Sequence, residues 1–296
     1  MCNIGDVVVK TKKIFQSEII CGDIVENLKL LNKNCKFDVI IIDPPYNIGK
    51  DFGNNNDYLE IEDYINWSKQ WLTECFELLA ENGLIYVYGF PEILARISSQ
   101  YPLEEQRILA WHYTNKTTPS STFWQRSYES ILCLWNGKRP SLEIDQIREP
   151  YTENYLKFAN KERKNTQGRF GNKTTIYQVN QNGALPRDVI KIPALAGGAG
   201  RNERHFLCKD CNGLYGNKEL KNHINHQIIQ HPTQKPFELT KKLLLSRIRN
   251  NGRVLIPFAG SGSECVVAKE LGIDFIGIEL NPDYVEYANK WLDLIK

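Results

Sequence analysis

The residues best suited to chemistry are Asp43, Pro44, Pro45 and Tyr46, which directly follow the apolar run 39–42. Such a run predicts a buried strand, and open α/β sheets bind ligands at the carboxyl ends of their strands. Because proline lacks an N–H group and has a fixed φ, the two prolines hold their carbonyls outside any strand ladder. Asp43 and a proline carbonyl could accept from the amino group of a flat base while Tyr46 stacks on its ring. The alternative interpretation is a polar turn after a strand.

A second pattern lies near the other end of the chain. Residues 253–256 predict a strand, residues 257–263 form a loop of small residues, and a helix follows to about Leu271. A further strand over 275–278 ends on Glu279. Glycines in such a loop let the backbone approach a ligand, and an acid about twenty residues on accepts from ribose hydroxyls. The series favours an adenosine-containing cofactor. NAD also fits, but the shortened glycine pattern and the presence of the Asp43 motif argue against it.

With these two motifs and two more, the chain resembles the β-class amino DNA methyltransferases, in which the catalytic motif precedes the cofactor motif. Asp23, in Cys21-Gly22-Asp23, resembles the acid that approaches the cofactor adenine, and residues 231–236 resemble the segment beside its methionine moiety. The chain departs from the family at Ile256, where members usually carry an acid.

The resemblance implies S-adenosylmethionine as cofactor and assigns two sets of residues. The catalytic residues are Asp43, Pro44, Pro45 and Tyr46. The expected cofactor-binding residues are Asp23, Lys235, Phe258, Ala259, Gly260, Ser261, Gly262, Glu279 and Asn281.

The implied fold is a Rossmann-like α/β sheet, mostly parallel with one antiparallel strand, in a circularly permuted motif order. Residues 1–136 would form the catalytic half and residues 231–296 the cofactor-binding half. Residues 137–230 would form an inserted target-recognition segment, in which 205–226 is the candidate zinc-binding part.

The charge distribution is consistent with a nucleic-acid partner for the middle of the chain. The formal net charge is only +2, but residues 101–230 hold 19 Lys and Arg against 12 Asp and Glu. A basic insert on a small-molecule-binding core is typical of proteins that contact DNA. A solvated surface could give the same count. The expected DNA-binding residues are Lys116, Trp124, Arg126, Arg169 and Lys173. For Trp124 the alternative is a cap on the sheet edge, and for Arg169 and Lys173 a plain linker.

Two cysteines and two histidines have a spacing close to that of a zinc site. Cys208 and Cys211 form a Cys-x-x-Cys pair, and His223 and His226 follow. The sequence predicts one structural zinc that pins a loop-rich insert, with no part in chemistry because four protein ligands would fill its coordination shell. The alternative is a surface loop with reduced thiols and solvated histidines. The signature of the zinc deaminases is missing, which argues against a hydrolytic metal.

Composition and hydropathy indicate a reducing compartment and no membrane. The eight cysteines do not predict a disulfide framework, and no apolar stretch approaches the roughly 18 residues that span a bilayer. Residues 1–16 lack a signal-peptide core. A cytoplasmic protein is expected.

The resemblance implies methyl transfer to the exocyclic amine of a flipped base in double-stranded DNA, as in a restriction-modification system. Asp at the first position of the catalytic motif favours adenine N6 over cytosine N4, and the absence of a Pro-Cys dipeptide disfavours a cytosine C5 methylase. Methylation of RNA or of a protein glutamine is a more distant alternative, and a non-enzymatic binding module is a third class. A cognate endonuclease and a homodimer are compatible with the resemblance.

Overall fold

The computed structural model describes most of the chain. The described residues are 16–49, 58–115, 119–164, 174–176, 178–196, 198–200, 202–248 and 251–295.

One eight-stranded sheet forms the centre of the molecule, in the order β1-β13-β12-β2-β3-β5-β4-β8. Its strands are β1 (Glu18–Cys21), β2 (Phe37–Ile42), β3 (Leu79–Gly89), β4 (Gln106–His112), β5 (Tyr128–Leu134), β8 (Val189–Lys191), β12 (Arg253–Ile256) and β13 (Asp274–Glu279). Each pair of neighbours is parallel except the two that contain β5, which runs antiparallel to both β3 and β4. The mostly parallel sheet with one antiparallel strand is therefore confirmed.

The two ends of the chain join in this sheet, as the permuted motif order predicts. β1 pairs with β13, and β2 pairs with β12. In β2 all residues except Asp38 are buried, and successive side chains enter different cores because strand side chains alternate between faces. Val39 and Ile41 pack in the core on one face, and Ile40 and Ile42 pack in the core on the other.

Helices cover both faces of the sheet. They are α1 (Ile24–Leu30), α2 (Ile61–Leu78), α3 (Pro91–Ser98), α4 (Glu153–Lys157), α5 (Phe237–Leu245), α6 (Ser263–Glu270) and α7 (Pro282–Leu294). The longest, α2, buries one stripe of residues at helical spacing that includes Trp71, Leu72 and Cys75. Asp23 caps the start of α1, and Asn281 caps the start of α7 with Pro282 as its first residue. None of the helices in the described ranges has the length and apolar character that crossing a membrane requires.

The middle of the chain adds two small sheets to the main one. β6 (Glu162–Lys164) pairs with β7 (Thr174–Ile176), and β9 (His205–Cys208) lies between β10 (Gly213–Gly216) and β11 (Ile228–Ile229). A 3-10 helix over Asn217–His223 follows β10. The segment 137–230 also supplies β8, which extends the main sheet beside β4. The sequence did not predict this edge strand, because three residues are too few to show a period.

Candidate active site

A cleft of about 1080 Å³ opens where four parallel strands end. Its lining includes the residues that follow or end β1, β2, β12 and β13, namely Gly22, Asp43, Pro257 and Glu279. Small-molecule pockets are typically about 300–1,000 Å³, so this cleft can hold a cofactor with part of a second ligand beside it. The carboxyl ends of parallel strands therefore bring both sequence motifs to one site.

Asp43 is held by a buried ammonium group from the other half of the chain. Lys235 Nζ lies 2.8 Å from each carboxylate oxygen of Asp43 and 3.6 Å from Glu129 Oε2. The Lys235 side chain is 5% exposed, so this ion pair is largely withdrawn from water. Lys235 is expected to bind the cofactor, but the structure places its charge against the carboxylate of Asp43. The sequence did not predict this contact.

Burial by itself would lower the pKa of Lys235, but the carboxylates of Asp43 and Glu129 outweigh it and raise the pKa. Lys235 is therefore a cation throughout the neutral range. Its charge also lies 5.2 Å from the ring centre of Tyr46 and 4.9 Å from that of Tyr88. The ammonium group of Lys235 is therefore enclosed by two acids and two rings.

The Tyr46 hydroxyl bridges two carboxylates. It lies 2.9 Å from Asp43 Oδ1 and 2.9 Å from Glu129 Oε2. Burial and these two negative charges raise the pKa of Tyr46 well above its usual range, so the phenol keeps its proton. A phenol carries one hydrogen and can donate to only one of the two acids at a time. The Tyr46 ring meets Phe90 edge-on at 5.2 Å, and its expected stacking on a target base stays a prediction.

The two prolines differ in their contacts with the rest of the protein. The Pro45 carbonyl accepts a hydrogen bond of 2.7 Å from the Tyr64 hydroxyl of α2. Pro44 is buried at the end of β2 and lines the cleft together with Pro45. Tyr64 thus fixes the second proline from outside the sheet, which holds the turn in one conformation.

The loop after β12 requires glycine at two positions. Gly260 and Gly262 have φ of +51° and +77°, in the left-handed region that favours glycine. A Cβ on Gly260 would lie 2.7 Å from His231 Nε2, and one on Gly262 would lie 2.5 Å from the Ala288 Cβ. The backbone here is therefore pressed against the 231–236 segment on one side and α7 on the other. Ala259 and Ser261, on either side of Gly260, are buried and line the cleft.

Glu279 organises the backbone of this loop. Its Oε2 accepts from the Gly260 N–H at 2.8 Å, and its Oε1 accepts from the Asn281 N–H at 2.8 Å. Burial raises the pKa of Glu279, although both backbone hydrogen bonds oppose that rise. A carboxylate has about four lone-pair sites, so each oxygen can still accept from a ligand hydroxyl.

The other expected cofactor residues surround the same cleft. Asp23 lines it and accepts from the Glu26 N–H at 3.0 Å as the cap of α1. Asn281 lines it and accepts from the Asp283 N–H at 2.9 Å as the cap of α7. Phe258 packs edge-on against Trp67 and Trp71 of α2, at 5.6 and 5.8 Å. Both caps tie a cleft residue to the start of a helix, which fixes its position.

Two acids of the site were missed by sequence reasoning. Glu129 lies on β5 opposite Trp111. The only sequence signal for its role was a charged residue next to a buried apolar run. Glu264 lies in the first turn of α6, is 5% exposed and lines the cleft. Burial, and then the charge of Asp43, raise the pKa of Glu264 to about 7. In sequence Glu264 is indistinguishable from an ordinary acid at a helix start.

Of the five predicted DNA-binding residues, Trp124 and Arg126 lie in the described part of the chain. Lys116, Arg169 and Lys173 lie outside the described residues. Trp124 is 87% exposed. Arg126 donates to Glu92 Oε1 at 2.8 Å and lies 4.3 Å from the ring centre of Phe90, the residue that contacts Tyr46. Their roles in binding DNA stay predictions.

The predicted metal-binding residues do converge. The candidate ligand atoms of Cys208, Cys211, His223 and His226 all lie within 4.8 Å of one another, and none of these residues lines the cleft.

Comparison with known proteins gives a consistent result. A family model described as DNA methylase matches residues 37–290. The chain is 29% identical over 282 residues to the type II methyltransferase M.HpaI of Haemophilus parainfluenzae, covering 93% of this chain and 74% of that protein. It is 26% identical over 281 residues to the DNA adenine methyltransferase YhdJ of Escherichia coli K12, covering 93% and 82%.

Solved structures agree at the level of fold. The PvuII DNA methyltransferase, described as cytosine-N4-specific, superposes with a TM-score of 0.61 at 14% identity, covering 94% of this chain and 86% of its own. The M1.HpyAVI–SAM complex superposes with a TM-score of 0.52 at 20% identity, covering 92% and 98%. The family match spans both motifs and most of the sheet, so the resemblance is confirmed and the chain belongs to the DNA methylase family of N6 and N4 amino methyltransferases.

Proposed function

We propose that the protein transfers a methyl group from S-adenosylmethionine to the exocyclic amine of a base flipped out of double-stranded DNA, with adenine N6 as the target. One observation carries the proposal: Asp43 and residues 258–261 of the cofactor loop line the same cleft. The cofactor motif and the catalytic motif therefore serve one reaction. Bound S-adenosylmethionine supplies an activated methyl group, and the close approach at Gly260 and the hydrogen bonds of Glu279 fit a cofactor held by backbone and carboxylate.

Asp43 and the Pro44 carbonyl act on the exocyclic amine of the target base. Its lone pair is delocalised into the base, and hydrogen bonds from the NH₂ group to Asp43 and to the Pro44 carbonyl favour the tetrahedral nitrogen that attacks in line. The Pro45 carbonyl, in contrast, already accepts a hydrogen bond from the Tyr64 hydroxyl. As positive charge grows on the nitrogen, the fixed carboxylate stabilises it without reorganisation. Asp43 accepts the proton that leaves, and the Tyr46 hydroxyl connects it to Glu129.

Lys235 has a separate role in this mechanism. Its ammonium offsets part of the negative charge of Asp43 and Glu129 before the base arrives, which makes two partly buried acids tolerable in one cleft. When the target amine binds, it donates to Asp43 lone pairs that Lys235 leaves available. The cofactor-binding role expected for Lys235 is compatible with this position, because Lys235 lines the cleft shared by both ligands.

Adenine is favoured over cytosine by Asp43 at the first motif position and by the relative named as a DNA adenine methyltransferase. Cytosine N4 is the alternative, which the PvuII structure keeps open. RNA or protein glutamine as substrate is a more distant alternative. The type II relatives also support a place in a restriction-modification system with a cognate endonuclease, and a homodimer is proposed on the family resemblance alone.

The testing experiment is transfer of labelled methyl to mixed-sequence duplex DNA, followed by nucleoside mass analysis. N6-methyladenine is the expected product. N4-methylcytosine would contradict only the target base. Label in RNA or protein but not in DNA would overturn the substrate assignment. The Asp63→Asn variant, altered at an exposed acid of α2, serves as a control with unchanged transfer.

A further inference from the structure

We propose that Cys208, Cys211, His223 and His226 bind one zinc ion that has a structural role. The site is formed by residues 205–229, which contain β9, β10, the 3-10 helix and β11; we refer to this part as the zinc segment. Its four candidate ligands do not line the cleft, although His205 of the same segment does, and occupation by zinc does not depend on the reaction proposed above.

Four distances between the ligand atoms lie near those of a tetrahedral site, and all four atoms lie within 4.8 Å of one another. His226 Nδ1 lies 3.2 Å from both Cys208 Sγ and Cys211 Sγ, and 3.3 Å from His223 Nδ1. Cys211 Sγ lies 3.6 Å from His223 Nδ1. With Zn–S of about 2.3 Å and Zn–N of about 2.0–2.1 Å, a tetrahedron has ligand-to-ligand edges of about 3.3–3.8 Å. All four atoms can therefore contact one ion.

Hydrogen bonding alone does not explain this convergence. Two imidazole Nδ1 atoms lie 3.3 Å apart, and both sulfur atoms lie 3.2 Å from His226 Nδ1. Thiol S–H and imidazole N–H groups can bridge single pairs of these atoms, but no one hydrogen contacts all four. A borderline-soft cation satisfies all four groups at once, and two thiolates with two imidazoles are a set that zinc prefers.

The local backbone is built to present these ligands. Cys208 ends β9, and Cys211 lies in the turn to β10, where Asn212 adopts a φ of +52°. His223 ends the 3-10 helix, and the His226 N–H donates to its carbonyl at 3.0 Å. The Gln227 N–H, next to His226, donates to Asp210 at 2.5 Å. This hydrogen bond ties the turn that carries the histidines to the turn that carries the cysteines. The two pairs of ligands therefore come from two successive tight turns.

The zinc segment buries few apolar residues of its own. Its buried apolar residues are Phe206, Leu207 and Cys208, with the Phe206 ring against Tyr215 and His223. Units below about 40 residues usually need a metal, a disulfide or a partner, because they cannot bury enough surface. A closed four-ligand zinc supplies folding free energy and leaves no position for substrate.

The zinc segment contacts α7 and leads into the cleft, so binding of the ion would stabilise both of these regions. Lys209, between the two cysteines, donates to Asp283 at 2.7 Å and to Glu286 at 2.6 Å on α7. Lys290 of α7 donates to Asn212 at 2.7 Å. β11 then leads directly into residues 231–235 of the cleft. The zinc therefore fixes both the start of α7 and the chain that carries Lys235.

The test is the metal content of the full chain, purified without a metal-affinity tag and measured by plasma mass spectrometry. About one zinc per chain is expected. The double variant Cys208→Ser, Cys211→Ser should lose it, whereas Cys21→Ser, Cys35→Ser, altered outside the cluster, should keep it. His226→Ala should lose zinc and His226→Cys should retain it, because three cysteines and one histidine are also a zinc set.

A second measurement needs no variant and so is independent of folding defects. Cobalt(II) added to chelated wild-type protein should give the intense visible bands of a tetrahedral thiolate complex, and zinc should displace them. Zinc-free wild-type protein that gives no cobalt bands would overturn the proposal. So would full zinc content in the Cys208→Ser, Cys211→Ser variant, or a disulfide between these two residues in the native chain.

Discussion

The catalytic cleft and the zinc segment are assembled in opposite ways. In the cleft, Asp43 pairs with Lys235 across 192 positions of the sequence, and Tyr46 pairs with Glu129 across 83. In the zinc segment, all four ligands lie between residues 208 and 226. The cleft depends on the whole sheet being formed, whereas the zinc segment can be arranged locally by one ion. A change in the cleft should therefore affect the entire fold, whereas a change in the zinc segment should act on its own residues, on α7 and on residues 231–235.

The two regions also differ in how they treat charge. The cleft withdraws Lys235, Asp43, Glu129 and Glu264 from water, which costs free energy unless the charges are paired. The zinc segment would hold its negative thiolates against a divalent cation.

Removing the cation of the cleft should have the largest effect on stability. Lys235→Met leaves Asp43 and Glu129 together without a counter-charge, and loss of one partner from a buried ion pair costs about 3–5 kcal/mol. Urea unfolding at neutral pH should show this loss. Lys241→Met, at an exposed position of α5, is the matched control and should change stability by less than about 0.5 kcal/mol. Equal stability of both variants would show that the cleft charges are not coupled as described.

Glu264 should make the stability depend on pH. Its pKa is about 7 in the folded protein, above the ordinary value of 4.5, so the folded state binds the proton more tightly. The unfolding free energy should therefore fall as pH rises from about 4.5 to about 7, by about 3 kcal/mol in total, and stay level above that range. Glu264→Gln should remove this slope.

The measurement for Glu264 is urea unfolding at pH 5 and pH 8. The difference between the two pH values should be smaller by about 3 kcal/mol in Glu264→Gln than in the wild type. Glu270→Gln, at the exposed end of α6, should keep the wild-type difference. An unchanged slope in Glu264→Gln would mean that this carboxylate is ionised in the cleft at low pH.

Two glycines with similar φ separate backbone strain from cofactor contact. Gly260 and Gly272 have φ of +51° and +65°, but a new Cβ meets His231 at 2.7 Å only at Gly260. Backbone strain from alanine should cost about 1–2 kcal/mol of stability at either position, and the contact with His231 adds to this cost at Gly260. Gly260→Ala alone should weaken S-adenosylmethionine binding, by about tenfold in titration calorimetry, which corresponds to about 1.4 kcal/mol. Equal binding of S-adenosylmethionine by both variants would contradict the assignment of the loop over residues 257–263 to the cofactor site.

The smallest effect is expected at the rim of the cleft. Trp124 is exposed, so Trp124→Ala should leave the unfolding free energy within about 0.5 kcal/mol of the wild type. If the ring stacks on a nucleotide, DNA affinity should fall by about 1 kcal/mol, or roughly fivefold, in a fluorescence titration at fixed salt. Leu103→Ala, at another exposed apolar residue, is the control. Unchanged affinity would favour the interpretation of Trp124 as a surface residue.

The contrast between the regions also explains what the sequence could predict. Strong apolar runs such as 39–42 predicted the strands, and the local spacing of Cys208, Cys211, His223 and His226 predicted their convergence. The pairing of the two chain ends came from the family resemblance, because contacts across the whole chain leave no local period. Glu129 and Glu264 were missed for the same reason: each acid lies in an ordinary element, and only the assembled sheet brings it to Asp43.

The most direct test of the account compares catalysis and cofactor binding in Asp43→Ala. If Asp43 acts on the target amine beside a cofactor held by the 258–262 loop, methyl transfer to DNA should fall by at least about 100-fold, as for other groups that stabilise transition-state charge. Binding of S-adenosylmethionine should stay within about threefold of the wild type, less than about 0.7 kcal/mol. Near-normal transfer by Asp43→Ala would contradict the central claim that this carboxylate and the cofactor loop form one active site.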